Sequence, residues 1–302
     1  MEKKLVSIII PTYNREKEVL ECISSLLNIS YPNFEIIVVD NASQDNTANI
    51  IKEKFSNIKN IKILELSQNL GAAGGRNEGI RHAKGEYLCF VDNDNIVDKN
   101  FLTELVKLAE TDEKIGFVGP KMYYFNDPER IWYAGAEISL LTSRGRYIGI
   151  SEIDKGQHDR IREVGHIPNV WLVKKCVIEK IGVLDTSYVV CYEESDWAMR
   201  ARKAGYKIMF CPTAVVYHNI PLRKISKGLR GLIGFDNPYK VFYAARNRTL
   251  FMKKFASKLS FILYLLIFNN ILLIQYCLIF LYYRRSDLVK SYIKGYLSGI
   301  IK

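Results

Sequence analysis

Four short strand-like segments in the first hundred positions constrain this chain more than any other feature: LVSIII (5–10), FEIIVVD (34–40), IKILEL (61–66) and EYLCFVD (86–92). LVSIII shows no alternation of apolar and polar residues, as expected for a strand covered on both faces, and FEIIVVD repeats the pattern. Helical patterns separate them. EVLECISSLL (18–27) sets Val19, Cys22, Ile23, Leu26 and Leu27 on one stripe. DNTANIIKEKF (45–55) reads as a second helix with Asp45 as its N-cap, and a Gly-rich entry opens a third over 71–84. This alternation predicts an α/β fold with an open, mostly parallel central sheet flanked by helices. Ligands of such sheets sit beyond the carboxyl ends of the strands. All four strands end there on polar residues: Thr12, Tyr13 and Asn14; Asp40 and Asn41; Ser67, Gln68 and Asn69; Asp92 and Asp94.

The fourth end, Asp92-Asn93-Asp94-Asn95, carries two carboxylates one residue apart. In extended backbone both project to the same side and repel. A divalent cation held by oxygens would relieve that repulsion and bind a diphosphate. The alternative is a plain polar turn, since Asp and Asn favour turns.

The chain has 302 residues, 48% hydrophobic and 25% charged, enough for one large domain with an appendage. Its formal net charge of +11 favours an anionic partner: nucleic acid, an anionic membrane face or a phosphorylated substrate. The basic residues are spread and the strand-end rim is acidic, which argues against nucleic acid. The six cysteines form no CxxC pair, so a zinc site has no support and buried thiols in a reducing compartment are expected. The apolar stretch of MEKKLVSIIIPTYN is too short for a signal peptide, which places the protein in the cytoplasm. Inside a cell the N-x-S/T triplets at Asn28, Asn41 and Asn247 carry no glycan.

Taken together, "SIIIPTYNR", "IIVVDNASQDNT", "NLGAAGGRNEGIRHAKGEYLCFVDNDN" and "YEESDWAMRARKAGYKI" resemble the family 2 inverting glycosyltransferases, whose nucleotide-sugar-binding fold is called GT-A. The likeness covers roughly residues 5–220. "FYAARNRTLFMKKF" resembles the rhamnosyltransferase-like branch. The resemblance implies a GT-A domain over 1–235, with a nucleotide-binding half at about 1–95 and an acceptor half at about 96–235. It implies a hexosyltransferase-type reaction with inversion, from a nucleotide-diphosphate sugar donor to a lipid-linked or polysaccharide acceptor.

Site residues follow from the same likeness. Pro11, Thr12, Tyr13 and Asn14, with Asp40 and Asn41, would cradle base and ribose, although Asp40 equally suits a helix cap. Gly71, Gly74 and Gly75 would let backbone approach phosphates at a helix N-terminus, and Arg76 and Asn77 after them would contact the nucleotide. Asp92 and Asn93 would contact the nucleotide, and Asp94 would ligate Mn²⁺ or Mg²⁺ with His218. Glu193, Glu194 and Asp196 crowd the start of a helix, where the macrodipole alone welcomes anions. The resemblance makes Glu194 the base that deprotonates the acceptor hydroxyl, with Asp196 the other candidate. Asn169, Trp171 and Arg246 are acceptor-side candidates, and Trp197 is either a donor-pocket wall or core. A nucleotidyltransferase and a non-catalytic sugar-binding relative are the rival readings.

The region 236–302 reads as a helical, membrane-associated appendage. Residues 259–283, LSFILYLLIFNNILLIQYCLIFLYY, are almost wholly apolar, and a helix of that length is about 38 Å against a bilayer core of about 30 Å. Asn269 and Asn270 interrupt it, and basic residues flank both ends. A single span would put one basic cluster outside. The expectation is therefore a re-entrant pair turning near Asn269–Asn270, or an interfacial pair, on the cytoplasmic membrane face.

Overall fold

A computed structural model of the chain describes residues 3–220 and 236–301. The expected boundary at 235/236 borders residues 221–235, which lie outside the described residues. The first half alternates as anticipated: β1 (Val6–Thr12), α1 (Glu16–Leu27), β2 (Phe34–Asp40), α2 (Thr47–Phe55), β3 (Ile61–Glu65), α3 (Gly71–His82) and β4 (Tyr87–Val91). The second half adds β5 (Asn95–Val97), α4 (Phe101–Glu110), β6 (Ile115–Tyr124), β7 (Asp127–Tyr133), β8 (Ala136–Ile138), β9 (Gly145–Tyr147), β10 (Arg162–Glu163) and β11 (Val170–Lys174). α5 (Lys175–Ile181), α6 (Glu193–Lys203) and β12 (Lys207–His218) complete it.

The main sheet runs β10-β12-β6-β11-β4-β1-β2-β3. β1, β2, β3 and β4 are mutually parallel, so their carboxyl ends share one edge; Thr12 pairs with Asp40. β11 enters antiparallel to both β4 and β6, which makes the sheet mixed. Two pairings then build the rim. β11 lies against β4 with Val170 opposite Val91, setting Asn169 beside Asp92. β12 ends against β5 with His218 opposite Asn95, setting that imidazole beside Asp94. The strands are apolar on both faces because helices cover both, and one continuous core results. Its centre is an aromatic stack, Trp171 on Phe90 (5.3 Å), with the Trp197 edge against Phe90 and Phe117. Trp197 is thus core, its indole N–H donating to Gly182 C=O.

Among the described residues three helices follow. α7 (Pro238–Phe255) starts on Asn237, whose side chain accepts from Lys240 N–H, with Pro238 in the first turn. α8 (Lys258–Tyr282) is capped by Ser257, and α9 (Ser286–Ile301) packs back on α7. The expected turn at Asn269–Asn270 is not there: α8 is continuous through both residues. Three of the four side-chain amide atoms find partners, Asn270 Oδ1 accepting from the Tyr296 hydroxyl of α9. Residues Tyr264–Phe268 form a π turn, and Asn270 Nδ2 donates to the C=O of Leu265 (2.9 Å) and Leu266 (3.0 Å) that such a turn frees. Asn269 is buried, its Oδ1 accepting from the Tyr264 hydroxyl. Reversal comes instead at Tyr283–Arg285, with Arg284 at positive φ. α8 is long and apolar enough to cross a membrane, and most of it is not covered by protein: Leu259, Leu266, Ile274 and Leu278 are each at least 60% exposed.

Candidate functional site

The two anions at the end of β4 are not left facing each other. Residues 92–95 form a turn closed by Asn95 N–H to Asp92 C=O (3.1 Å), not the extended backbone expected, and the turn sends each carboxylate to its own cation or donor. Asp92 Oδ1 meets Arg76 Nη2 at 2.6 Å, and Asp94 Oδ1 lies 3.4 Å from His218 Nε2. The polar-turn reading was right about the backbone, and the side chains still converge on one rim.

Arg76 is the hub. The same Nη2 that holds Asp92 is 3.0 Å from Glu194 Oε1, and Nη1 is 3.5 Å from Glu193 Oε1. The guanidinium is almost wholly buried and stacks over Trp171, 4.7 Å from the ring centre. Burial alone would favour its neutral form, but Asp92, Glu194 and Glu193 together raise its pKa. The fourth strand end and the start of α6, 102 positions apart by number (Asp92 to Glu194), are thus joined through one side chain that the sequence reading had aimed at the nucleotide. Three carboxylates on one guanidinium leave an excess of buried negative charge. Burial pushes Glu194 up to about 8, opposed by Arg76 and reinforced by Glu193 and Asp92. Burial likewise raises Asp92 and Glu193, against the pull of Arg76. Burial would raise Asp94 too, but the hydrogen bond and charge of His218 overcome it and hold that carboxyl below its ordinary value.

The residues expected on the donor side form a connected rim. Asn93 Nδ2 donates to Thr12 Oγ1 (2.9 Å), and Tyr13 stands exposed beside it, following Pro11. Asn14 sits at positive φ and accepts from Gln44 N–H through Oδ1. Asp40 caps no helix; its carboxylate accepts from Ser43, and Asp45 Oδ1 takes the Thr47 N–H at the start of α2. Asn41 fastens the Gly-rich entry of α3: its Oδ1 accepts from Leu70 N–H and its Nδ2 donates to Gly71 C=O. Gly71 has φ +71°, and a Cβ there would lie 3.0 Å from Val189 O. Gly75 faces Asn41 and Pro11.

Three expected positions need correction. Trp171 is 1% exposed, because it shares a sheet face with Phe90 and lies beneath Arg76; it floors the site and presents no ring to a sugar. Asp196 points away from Arg76 and is spent on a buried ion pair with Arg200 (2.7 Å) and Lys254 (2.5 Å). Arg246 is not open to an acceptor: it is buried, donates to Ser187 C=O and stacks on Tyr243. Asn169 does reach the rim, at φ +63°, its Nδ2 3.0 Å from His218 Nε2 and its C=O accepting from Asp92 N–H. Two neighbours escaped sequence reasoning. Trp132 sets its ring edge-on to the His218 imidazole at 4.4 Å, and Asn247 bonds the loop before α6. Asn247 did leave a signal, an amide between two arginines in an otherwise amphipathic helix, but it read only as a glycosylation triplet.

The sequence model of glycosyl transferase family 2 matches residues 7–171. The probable glycosyltransferase YdaM of Bacillus subtilis (strain 168) is 29% identical over 227 residues, 72% of this chain and 51% of that protein. The chain spans about half or less of the length of the first curated relatives it matches. Among solved structures, residues 1–349 of S. aureus TarS with UDP-GlcNAc align at TM-score 0.55 and 23% identity, over 82% of this chain and 66% of that one. Mannosyltransferase PcManGT from Pyrobaculum calidifontis, with GDP-Man and Mn²⁺, aligns at TM-score 0.57 and 19% identity, over 99% and 88%. A family match across more than half the chain, on a mixed sheet of the GT-A kind, makes this protein a member of glycosyl transferase family 2.

Proposed function

We propose that the protein transfers a hexose-type sugar from a nucleoside diphosphate donor to a hydroxyl of a lipid-linked or polysaccharide acceptor, with inversion and dependent on a divalent cation. One observation carries the reading: Asp92, on the nucleotide rim, and Glu194, at the start of α6, share a single guanidinium nitrogen. One sugar unit can therefore lie between the donor's phosphates and a base. Glu194, with its pKa raised, takes the acceptor hydroxyl proton as that oxygen attacks the anomeric carbon from the face opposite the diphosphate. The bond from that carbon to the diphosphate oxygen breaks, and the nucleoside diphosphate leaves with the electron pair. Arg76 keeps Asp92 and Glu194 in place, while Asn41 and Gly71 shape the loop on which the phosphates rest.

Asp94 and His218 fit Mn²⁺ or Mg²⁺: a hard carboxylate oxygen and an imidazole nitrogen face each other on the rim. Among the described residues no group of three or more such side chains converges, so Asp94 and His218 are the side chains that would hold the ion. When bound, it would neutralise charge on the leaving diphosphate. Asp94→Ala is expected to abolish both the stimulation by added Mn²⁺ and the turnover itself. Rates that still follow Mn²⁺ in that variant would remove Asp94 from the site.

The decisive experiment is release of nucleoside diphosphate from a panel of UDP-GlcNAc, UDP-GalNAc, GDP-mannose and dTDP-rhamnose with Mn²⁺ present. The panel includes the donors in the TarS and PcManGT structures and one for the rhamnosyltransferase-like reading of FYAARNRTLFMKKF. No release from any donor, with pyrophosphate formed instead when a nucleoside triphosphate and a sugar 1-phosphate are supplied, would identify a nucleotidyltransferase.

The reading divides the chain into a transferase domain over 1–235 and a membrane-associated region over 236–302. The uncovered apolar side of α8, with Lys258 in its first turn and Arg284, Arg285 and Lys290 after it, suits a helix lying in an anionic membrane face. An alkaline carbonate wash should leave at least part of the protein with membranes. Replacing Leu266, Ile274 and Leu278 with Ser should release it to the supernatant; full retention of that triple variant would sink the interfacial placement.

A further inference from the structure

Glu193 and Glu194 are delivered by a strained segment. Val189 has φ +63° and ψ −57°, and Val190 N–H donates to Tyr188 C=O at 2.6 Å. This is a γ-turn of the rare positive-φ kind, here on a β-branched residue. Cys191 (φ 66°) and Tyr192 (φ 74°) follow, so three of the four residues before Glu193 are left-handed. No glycine lies between Gly182 and Glu193 to ease this. Backbone of this kind persists only where the surroundings over-determine it.

We propose that Asn247 is the residue that holds it, and so acts as a positioning residue for the carboxylates that open α6. Its side chain is fully buried on α7, and its Nδ2 lies within hydrogen-bond distance of three carbonyls of one loop: Tyr188 (2.6 Å), Val190 (2.8 Å) and Cys191 (3.0 Å). Two N–H bonds shared among three acceptors leave the loop one arrangement. The Tyr188 carbonyl is the same one that closes the γ-turn. The helix grips both sides of the strained stretch: Arg246 donates to Ser187 C=O before it, and Lys254 pairs with Asp196 beyond it. The loop also borders the donor rim, since Val189 O abuts Gly71. Movement of this loop therefore displaces Glu194 and crowds or opens the Gly-rich entry together. Because α7 runs on through Ala256 and Ser257 into α8, the device ties the transferase site to the apolar appendage.

The catalytic consequence rests on Glu194 being the base, so the test has one arm that does not. In Asn247→Ala, hydrogen exchange of peptides covering 186–196 should quicken about tenfold or more, with β1 and β4 peptides unchanged. Unchanged exchange at 186–196 would overturn the proposal whatever the chemistry. In the second arm, nucleoside diphosphate release from the best donor of the panel should fall about 100-fold in kcat. Adding Asn247→Ala to Glu194→Gln should cost nothing further, since a misplaced base and an absent one are equivalent. An equal loss in both backgrounds would mean general destabilisation and would refute the positioning role. Val189→Gly should restore part of the Asn247→Ala turnover, because glycine takes φ +63° without strain. No recovery would count against strain as the reason for the clamp. If Glu194→Gln turns over like the parent, the base assignment falls, while the exchange arm still decides whether Asn247 holds the loop. Should Asn247→Ala not accumulate, Asn247→Ser, which keeps one donor, carries the same comparisons.

Discussion

Glu194→Gln is expected to lower nucleoside diphosphate release about 1,000-fold while leaving nucleotide affinity nearly unchanged, as removal of a general base does. In the proposed mechanism the carboxylate is needed only when a proton leaves the acceptor, and the amide keeps its size. The pH dependence follows from burial. Glu194 is pushed up to about 8, so it is protonated and idle as a base below that value and charged and competent above it. The parent's kcat/KM should therefore climb with pH and level off above about 8, and the climb should vanish in the residual rate of the variant. A parent profile that is flat from pH 6 to 9 would remove Glu194 from the role. Stability moves the other way. The folded chain holds a proton on Glu194 that the unfolded chain gives up between its ordinary value near 4.5 and about 8. Folding free energy therefore weakens as pH rises through that window, by at most about 1.4 kcal/mol per pH unit for one proton. Glu194→Gln should lack this loss and melt a few degrees above the parent at pH 8.5, with the difference closing near pH 5.

The largest effect on stability is expected at Arg76. Arg76→Ala leaves Asp92, Glu193 and Glu194 without their shared cation and uncovers Trp171. Removing one partner of a buried ionic group costs about 3–5 kcal/mol, and turnover should be lost with it. Thermal unfolding should show the loss greatest at alkaline pH and smaller near pH 5, where the orphaned carboxylates can take protons. Arg76→Lys should recover little, because one ammonium cannot bridge Asp92 and Glu194 while lying flat on an indole. A lysine variant with parental melting and turnover would show that a point charge suffices.

Much of this molecule could be read before any coordinates. The apolar runs at 5–10, 34–40 and 86–92 are strands because β-branched residues on both faces need cover on both faces. Their parallel order puts Thr12, Asp40 and Asp92 on one edge. The second acidic cluster begins a helix as its charge pattern suggests. Other features misled for local reasons. Asp and Asn in sequence favour a turn as much as a strand, and the turn prevailed at 92–95. The asparagines at 269 and 270 looked like a break because an amide in an apolar run is costly, but a π turn supplies carbonyls that need a donor.

Periodic and adjacent features are legible in the chain alone: which segments bury apolar surface, where strands end, and which acidic residues lie at those ends. Which acids come together is set by packing between distant segments. Arg76 meets Glu194 because β11 is laid antiparallel on β4 and α6 is set over it. Asp196, two residues from Glu194, is turned out of the site by the pitch of the same helix and consumed by Arg200 and Lys254. Trp171 became a floor rather than a platform because its strand neighbours fill the face it occupies. Charge pairing and burial depend on distances between segments far apart in the chain, and those distances exist only once the sheet has closed.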